Sequence, residues 1–356
     1  MLSGTTNHAA SSLEYTGVYH NGSTIFEIYT YGASRSELLR AEDEEGLDLL
    51  RKKLSCGDLV WANIIGLDSP HIIAEACAEI GLEHMFIEDV VHVGQRSKME
   101  QSDDLLFATV TMVSYKRECW QKQAIMDIEH EHLSLVLTKN AVITFQEKPG
   151  DVFTGVRQRL EQGNGRIRAS GSDYLLYSLL DALVDQQLEI IQMVAMEVDN
   201  GEREFVEENR ISLPRLYGIR KELLLMRSAS FPLRDMVLSM LSPDFNLIRD
   251  SVKGHLRDVY DHVAHVTDLV NLNRELVNNL YEMHMLDTSN NLNKVMTTLT
   301  VFSAIFIPLN FLVGFFGMNF HFFPGLNSPL GIPVVIGVCG AIAAGMVYFF
   351  RSRGWF

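Results

Sequence analysis

Asn293, Met296, Thr300, Ser303, Ile307, Asn310 and Gly314 follow one another at spacings of three and four, the interval that puts side chains on one face of a helix. The stripe gathers amide and hydroxyl oxygens and contains no carboxylate. Oxygens of this kind suit a cation that keeps its water, because they touch the hydration shell without replacing it, and Mg2+ sheds water reluctantly. The rest of the segment, Val295, Phe302, Ile305, Phe306, Leu309, Leu312, Val313 and Phe316, is bulky and apolar, as lipid-facing residues are. Polar side chains at bilayer depth must face protein or water. A helix-packing face and an aqueous lining meet that requirement equally, and the spacing does not separate them.

The element that carries the stripe lies in a stretch without charge. Between Lys294 and Arg351 there is no Asp, Glu, Lys or Arg. Val295 to about Phe315 and Ile332 to Phe350 each approach the ~20 apolar residues needed to cross a hydrocarbon core of ~30 Å. Lys294, Arg351 and Arg353 flank the pair, while the linker from Phe316 to Gly331 carries only His321 as a possible charge. By the positive-inside rule both termini are expected in the cytoplasm of a cell (inner) membrane protein. One hairpin cannot enclose a pore, so the lining reading requires a cyclic homo-oligomer. Pro308 removes a backbone hydrogen bond in mid-span.

Composition restricts the partners. The 356 residues include 45 acidic against 30 basic, a formal charge of −15, which argues against nucleic acid and for cations. Cys56, Cys77, Cys119 and Cys339 show no CxxC spacing and suggest neither a zinc site nor a disulfide framework. The N-terminal MLSGTTNHAASSLEYTG lacks a basic region followed by an apolar one, so no cleavable signal is expected. No P-loop, GxSxG or HExxH is present, and an enzyme is not expected. Asn21-Gly22-Ser23 fits a glycosylation sequon in a segment expected to be cytoplasmic, and is taken as chance.

Upstream, apolar and polar residues alternate in STIFEIYTY, DLVWANIIG, LLFATVTMVSY and HLSLVLTKNAVITFQE, the last a hairpin turning at Lys139-Asn140. RSELLRAEDEEGLDLLRKKL and SPHIIAEACAEIGL between them are expected to be helical. From Asp173 the period becomes three and four, first to Val198 and again from Leu213 to Leu241. The final segment has no proline between Pro243 and Pro308; if continuous, ~60 residues make a rod of ~90 Å. The fold class is therefore an α+β membrane protein with an N-terminal cytoplasmic α/β domain, a long helical stalk and two C-terminal transmembrane helices. The expected division is an α/β domain over 1–156, a helical domain over 157–292, a first span over 293–315, an external loop over 316–331, a second span over 332–350 and a basic tail over 351–356.

Phe316-Gly317-Met318-Asn319-Phe320, directly after the first span, resembles the GMN signature of the CorA family of magnesium and cobalt channels. The likeness extends through the preceding IFIPLNFLVGF and, upstream, through IEDVVHVGQRSKME, LVLTKNAVITFQEKPGDVF, DYLLYSLLDALVD and LRDVYDHV in the same order. The resemblance implies a homopentamer in the lipid membrane, carrying Mg2+ and also Co2+ or Ni2+. It puts the first span around the pore and Gly317, Met318 and Asn319 at its external mouth, where the Asn319 amide would accept from water on the ion. It also puts Asn293 at an inner polar ring and Met296, Leu299 and Ile307 at hydrophobic constrictions. Glu88, Asp89 and Asp258 coincide with positions at which the family binds regulatory Mg2+ between subunits. There, the ion would hold together carboxylates that otherwise repel, giving feedback from cytoplasmic Mg2+. The chain departs from the pattern at Phe316, where Tyr is frequent, at Asn310 for Thr, at Ile307 for Met, and at Phe323-Pro324-Gly325-Leu326, which has lost an acidic residue. A zinc carrier of the same superfamily and a membrane-anchored ion sensor are the competing functions. His130-Glu131-His132 is expected to be an exposed strand start and not a metal cluster, since no third ligand is identifiable.

Overall fold

The computed structural model describes residues 13–102, 104–115, 128–208, 212–243, 245–318 and 330–355. They divide into two compact units, one ending at Asn278 and one beginning at Asn279.

The first unit is built on a seven-stranded sheet of order β2-β1-β3-β7-β6-β5-β4. Its strands are β1 (Ile25–Gly32), β2 (Arg35–Glu42), β3 (Leu59–Ile65), β4 (Lys98–Gln101), β5 (Leu105–Tyr115), β6 (Ile128–Thr138) and β7 (Ala141–Gln146). Every pairing is antiparallel except that of β3 with β7. A strand presents alternate residues to opposite faces, so both faces carry apolar side chains and both are covered. Phe26, Ile28, Val60, Ile64 and Phe145 pack with residues of α1 (Asp43–Ser55), α2 (Pro70–Ile80) and α3 (His84–Val91). Tyr29, Trp61, Leu106, Ala108 and Leu135 pack with α4 (Thr154–Gln162), α5 (Ser172–Glu208), α6 (Leu213–Met240) and the start of α7 (Asp250–Phe316).

The hairpin at Lys139-Asn140 forms as its sequence indicates, with Leu137 opposite Val142. Ser172 Oγ, at the first turn of α5, sits 2.8 and 2.9 Å from the carbonyl oxygens of Thr138 and Lys139, which ties that turn to the helix. Asp173 then accepts from Arg249 N, Nε and Nη2 at 3.1, 2.8 and 2.6 Å, fixing the entry to α7 against the start of α5. A buried carboxylate with a bidentate guanidinium is a strong, directional clamp.

Two local expectations are corrected. RSELLRAE is not the first part of a helix but the edge strand β2, paired along its whole length with β1. The helix starts only at Asp43, whose φ of 47° breaks the helical path. Asp43 is held there by Thr24, whose N donates to Asp43 Oδ1 and whose carbonyl accepts from Asp43 N, each at 2.8 Å. The boundary thus comes from a contact with a residue 19 positions away, which local helix propensity cannot register.

His130-Glu131-His132, second, is not an exposed strand start. The segment lies inside β6, opposite Val113, Met112 and Thr111. The two imidazoles have different partners: His130 Nε2 lies 3.6 Å from Glu222 Oε2, and His132 Nε2 lies 3.1 Å from Ser134 Oγ. Glu131 is 2% exposed, and its Oε1 accepts from the backbone N of Glu147 and of Lys148 at 2.9 and 3.0 Å. Burial pushes its carboxyl from an ordinary 4.5 to about 7, against the lowering effect of those hydrogen bonds. A folded-state value above the unfolded one means that the stabilisation from the bound proton is complete below about 4.5 and lost as the pH rises through about 7. Glu131→Gln keeps the Oε1 acceptor and cannot ionise. Its thermal midpoint at pH 8 is expected to exceed that of the wild type by a few °C, with the gap closing as the pH falls to 4.5.

The second unit holds the C-terminal part of α7 and α8 (Gly331–Ser352). α7 is a single helix of 67 residues that continues through Pro308. Both helices contain a window long and apolar enough to cross a membrane, and almost nothing in those windows is buried within the chain.

Candidate ion pathway and cation sites

All eight residues expected to line a pathway fall on α7. At 100° per residue, Asn293, Met296, Leu299, Thr300, Ser303, Ile307, Asn310 and Gly314 occupy an arc of about 120°. Seven of them are exposed in the single chain and Ser303 is half-buried. Thr300 Oγ1 donates to the Met296 carbonyl at 2.8 Å, so the hydroxyl satisfies itself along the helix and turns only its lone pairs outward. Met296, Leu299 and Ile307, at 65%, 67% and 67% exposure, interrupt the polar positions with apolar ones.

α7 ends where the signature begins. Gly317 N donates to the Val313 carbonyl at 2.9 Å and Met318 N to the Phe315 carbonyl at 3.3 Å, a last turn drawn tight against its own carbonyls. A Cβ at Gly317 would lie 3.0 Å from the Val313 oxygen, an approach that requires the turn to give by a few tenths of an ångström. Met318 is exposed, whereas Asn319 and the loop to residue 329 lie outside the described residues.

Glu88 and Asp89 are consecutive on α3, and their surroundings differ. Glu88 is exposed, and Asp89 is 5% exposed. Lys98 Nζ, from β4, stands 2.6 Å from Asp89 Oδ2 and 3.2 Å from Glu100 Oε1. The Asp89 carboxylate, first, and Glu100 hold the Lys98 ammonium above the usual lysine range, against a lowering by partial burial. Asp258 is an exposed residue of α7.

The sequence reading missed a third group. Asp181 and Asp185 of α5 and His262 of α7 bring ligand atoms within 4.8 Å of one another, and no other such group of three occurs among the described residues. Burial pushes the Asp181 carboxyl above its ordinary range, with the neighbouring charge of Asp185 adding to it and Asp258 contributing less. The His255 ring of α7 stacks on Tyr177 of α5 at 5.1 Å. The signal was present: DALVD and DVYDH each place two ligand-type residues four apart, on one helical face. Neither helix supplies the group alone, so only the packing of α5 against α7 reveals it.

The model of the CorA-like Mg2+ transporter protein family matches residues 57–352. Over 345 residues the chain is 34% identical to the cobalt/magnesium transport protein CorA of Thermotoga maritima, covering 97% of this chain and 95% of that one. It is 22% identical to the zinc transport protein ZntB of Cronobacter sakazakii over 225 residues, 63% of this chain and 67% of the relative. Its fold is that of the complete CorA magnesium transporter of Methanocaldococcus jannaschii, with a TM-score of 0.72 at 18% identity over 94% of this chain and 98% of that structure. The α/β domain, the long helix and the two apolar C-terminal helices are thus a known architecture of membrane transporters, and this chain belongs to the CorA-like Mg2+ transporter family.

Proposed function

We propose that the chain is one subunit of a homopentameric channel that admits hydrated Mg2+, and also Co2+ and Ni2+, into the cytoplasm down the membrane potential. The observation that carries this reading is the α7 stripe: amides and hydroxyls without a carboxylate, open to the outside of the single chain. A divalent ion that keeps its water needs oxygen acceptors and space, and five such stripes around an axis supply both. Carboxylates, the usual protein ligands of a dehydrated divalent ion, are missing from the spans. Met296, Leu299 and Ile307 would form apolar rings that close the path by expelling water. Gly317, Met318 and Asn319 would receive the ion at the outer mouth, with both chain ends in the cytoplasm.

Regulation follows from the cytoplasmic carboxylates. Glu88 and Asp89 of one subunit and Asp258 of the next would share Mg2+ and hold the ring closed when internal Mg2+ is high. Asp181, Asp185 and His262 fit a cation beside Asp258, since their ligand atoms already converge and the Asp181 carboxyl, raised first by burial, is raised further by the charges of Asp185 and Asp258. The imidazole in that group and the likeness to ZntB support a second reading, a zinc carrier, because imidazole favours zinc over magnesium.

Flux into liposomes decides between them. Wild-type protein is expected to take up Mg2+ in a manner blocked by cobalt hexammine, and Asn319→Ala to lose at least about tenfold of that uptake, the cost of one hydrogen bond to a charged hydrate. Equal uptake by both proteins removes Asn319 from the mechanism, Zn2+ flux without Mg2+ flux selects the carrier, and no flux at all selects a sensor. For the acidic group, a carboxyl raised in the folded state destabilises that state as the pH rises through its value, so Asp181→Asn is expected to melt above the wild type at pH 7.5 without metal. Added Mg2+ should raise the wild-type midpoint more than that of the variant; equal rises would exclude Asp181 from the ion's surroundings.

A further inference from the structure

We infer that Lys98 is a built-in competitor for the cation at Asp89, resting on that carboxylate when no ion is bound and transferring to Glu100 when one arrives. The inference rests on the regulatory reading of Asp89 given above and adds to it the residues that set its threshold.

The Asp89 side chain is 7% exposed, and a lone carboxylate so placed would be expensive. Within the single chain the charge is already met: Lys98 Nζ lies 2.6 Å from Oδ2. The contact is a single ammonium on one carboxylate oxygen, without the second bond of a guanidinium fork, and another cation can take over the same role. A divalent ion at that carboxylate would repel an ammonium 2.6 Å from the same oxygen. Ion binding therefore favours departure of the ammonium, and the apparent affinity for the ion falls as Lys98 occupies Asp89.

The surroundings of Lys98 allow that departure. Its backbone is fixed, since Lys98 N donates to Thr109 Oγ1 at 3.1 Å and Lys98 pairs with Thr109 across β4 and β5. Its side chain is 36% exposed and carries the flexible stem typical of lysine. A second acceptor is already within reach: Glu100, two residues along the same strand and hence on the same face, has Oε1 3.2 Å from Nζ and is 37% exposed. Rotation about the outer bonds of the stem exchanges Asp89 for Glu100 without moving the sheet. Arginine would hold Asp89 by a planar fork, whereas a single ammonium between two carboxylates can be displaced.

The two partners of the exchange should move the threshold in opposite directions. The measurement is protection of the full chain in detergent from limited proteolysis, titrated with Mg2+ alone. Lys98→Gln is expected to reach half-protection at a Mg2+ concentration at least about threefold below that of the wild type, within the range that a partly exposed ion pair contributes. Glu100→Gln deprives the ammonium of its alternative and should raise the concentration needed, and Lys98→Arg should not lower it. If Lys98→Gln matches the wild type or needs more Mg2+ while Asp89→Asn abolishes protection, Lys98 is no competitor and the regulatory reading survives. If Mg2+ gives the wild type no protection, the regulatory reading fails and the inference with it. Should Lys98→Gln not fold, an unchanged threshold in Glu100→Gln is sufficient to overturn the exchange.

Discussion

A polar side chain on a helix in hydrocarbon has to find protein or water, and several on α7 are covered by neither among the described residues. Asn293, Thr300 and Asn310 stand exposed on a helix whose membrane-length window is almost entirely unburied. Thr300 donates its hydroxyl proton to the Met296 carbonyl, but an asparagine amide, an acceptor at its oxygen and a double donor at its nitrogen, cannot be satisfied that way at both ends. The cost of leaving such groups in lipid is met only by neighbours outside the chain or by a water-filled space. Assembly around an axis supplies both at once, and the rest of the proposed mechanism depends on it: the apolar rings, the hydrated cargo and the carboxylates shared between subunits.

The same helix begins in a different setting. At its start, Arg249 is clamped by Asp173, and Val252, Leu256 and Val259 bury themselves against the sheet domain. Farther along it carries Asp258 and His262, which meet Asp181 and Asp185 of α5 on an acidic face. In the proposed regulation a cation bound on this acidic face would change the repulsion among its carboxylates without changing the buried core that anchors the helix. Asp89 solves the same problem differently, with the Lys98 ammonium as an internal counterion.

Much of this was legible in the amino acids, for physical reasons that differ from element to element. β1, β3 and β5 are largely apolar runs of strand length, rich in β-branched and aromatic residues and buried on both faces, so their strand character survives into the structure; the Lys139-Asn140 turn is dictated locally. The two spans announce themselves because lipid tolerates no charge, and the stripe on α7 is a consequence of helix geometry alone. β2 was not legible, because its strand state comes from pairing with β1 and its end from the Thr24 contact with Asp43. The acidic group escaped for a related reason: its members lie on two helices about eighty residues apart, and each half looks like an ordinary solvated face. Lys98 could not have been singled out from a sequence in which thirty basic residues are scattered.

The central claim is that one arc of α7 faces water while the remainder faces lipid or protein. It is tested most directly by placing single cysteines, in a background freed of Cys56, Cys77, Cys119 and Cys339, along α7 and measuring their reaction with a membrane-impermeant, water-soluble thiol reagent in liposomes at low Mg2+. Cysteines at Met296, Ser303, Ile307 and Asn310 are predicted to react, and those at Phe302, Leu309 and Val313 to remain protected. Protection at every position, or reaction without regard to the arc, would contradict the account.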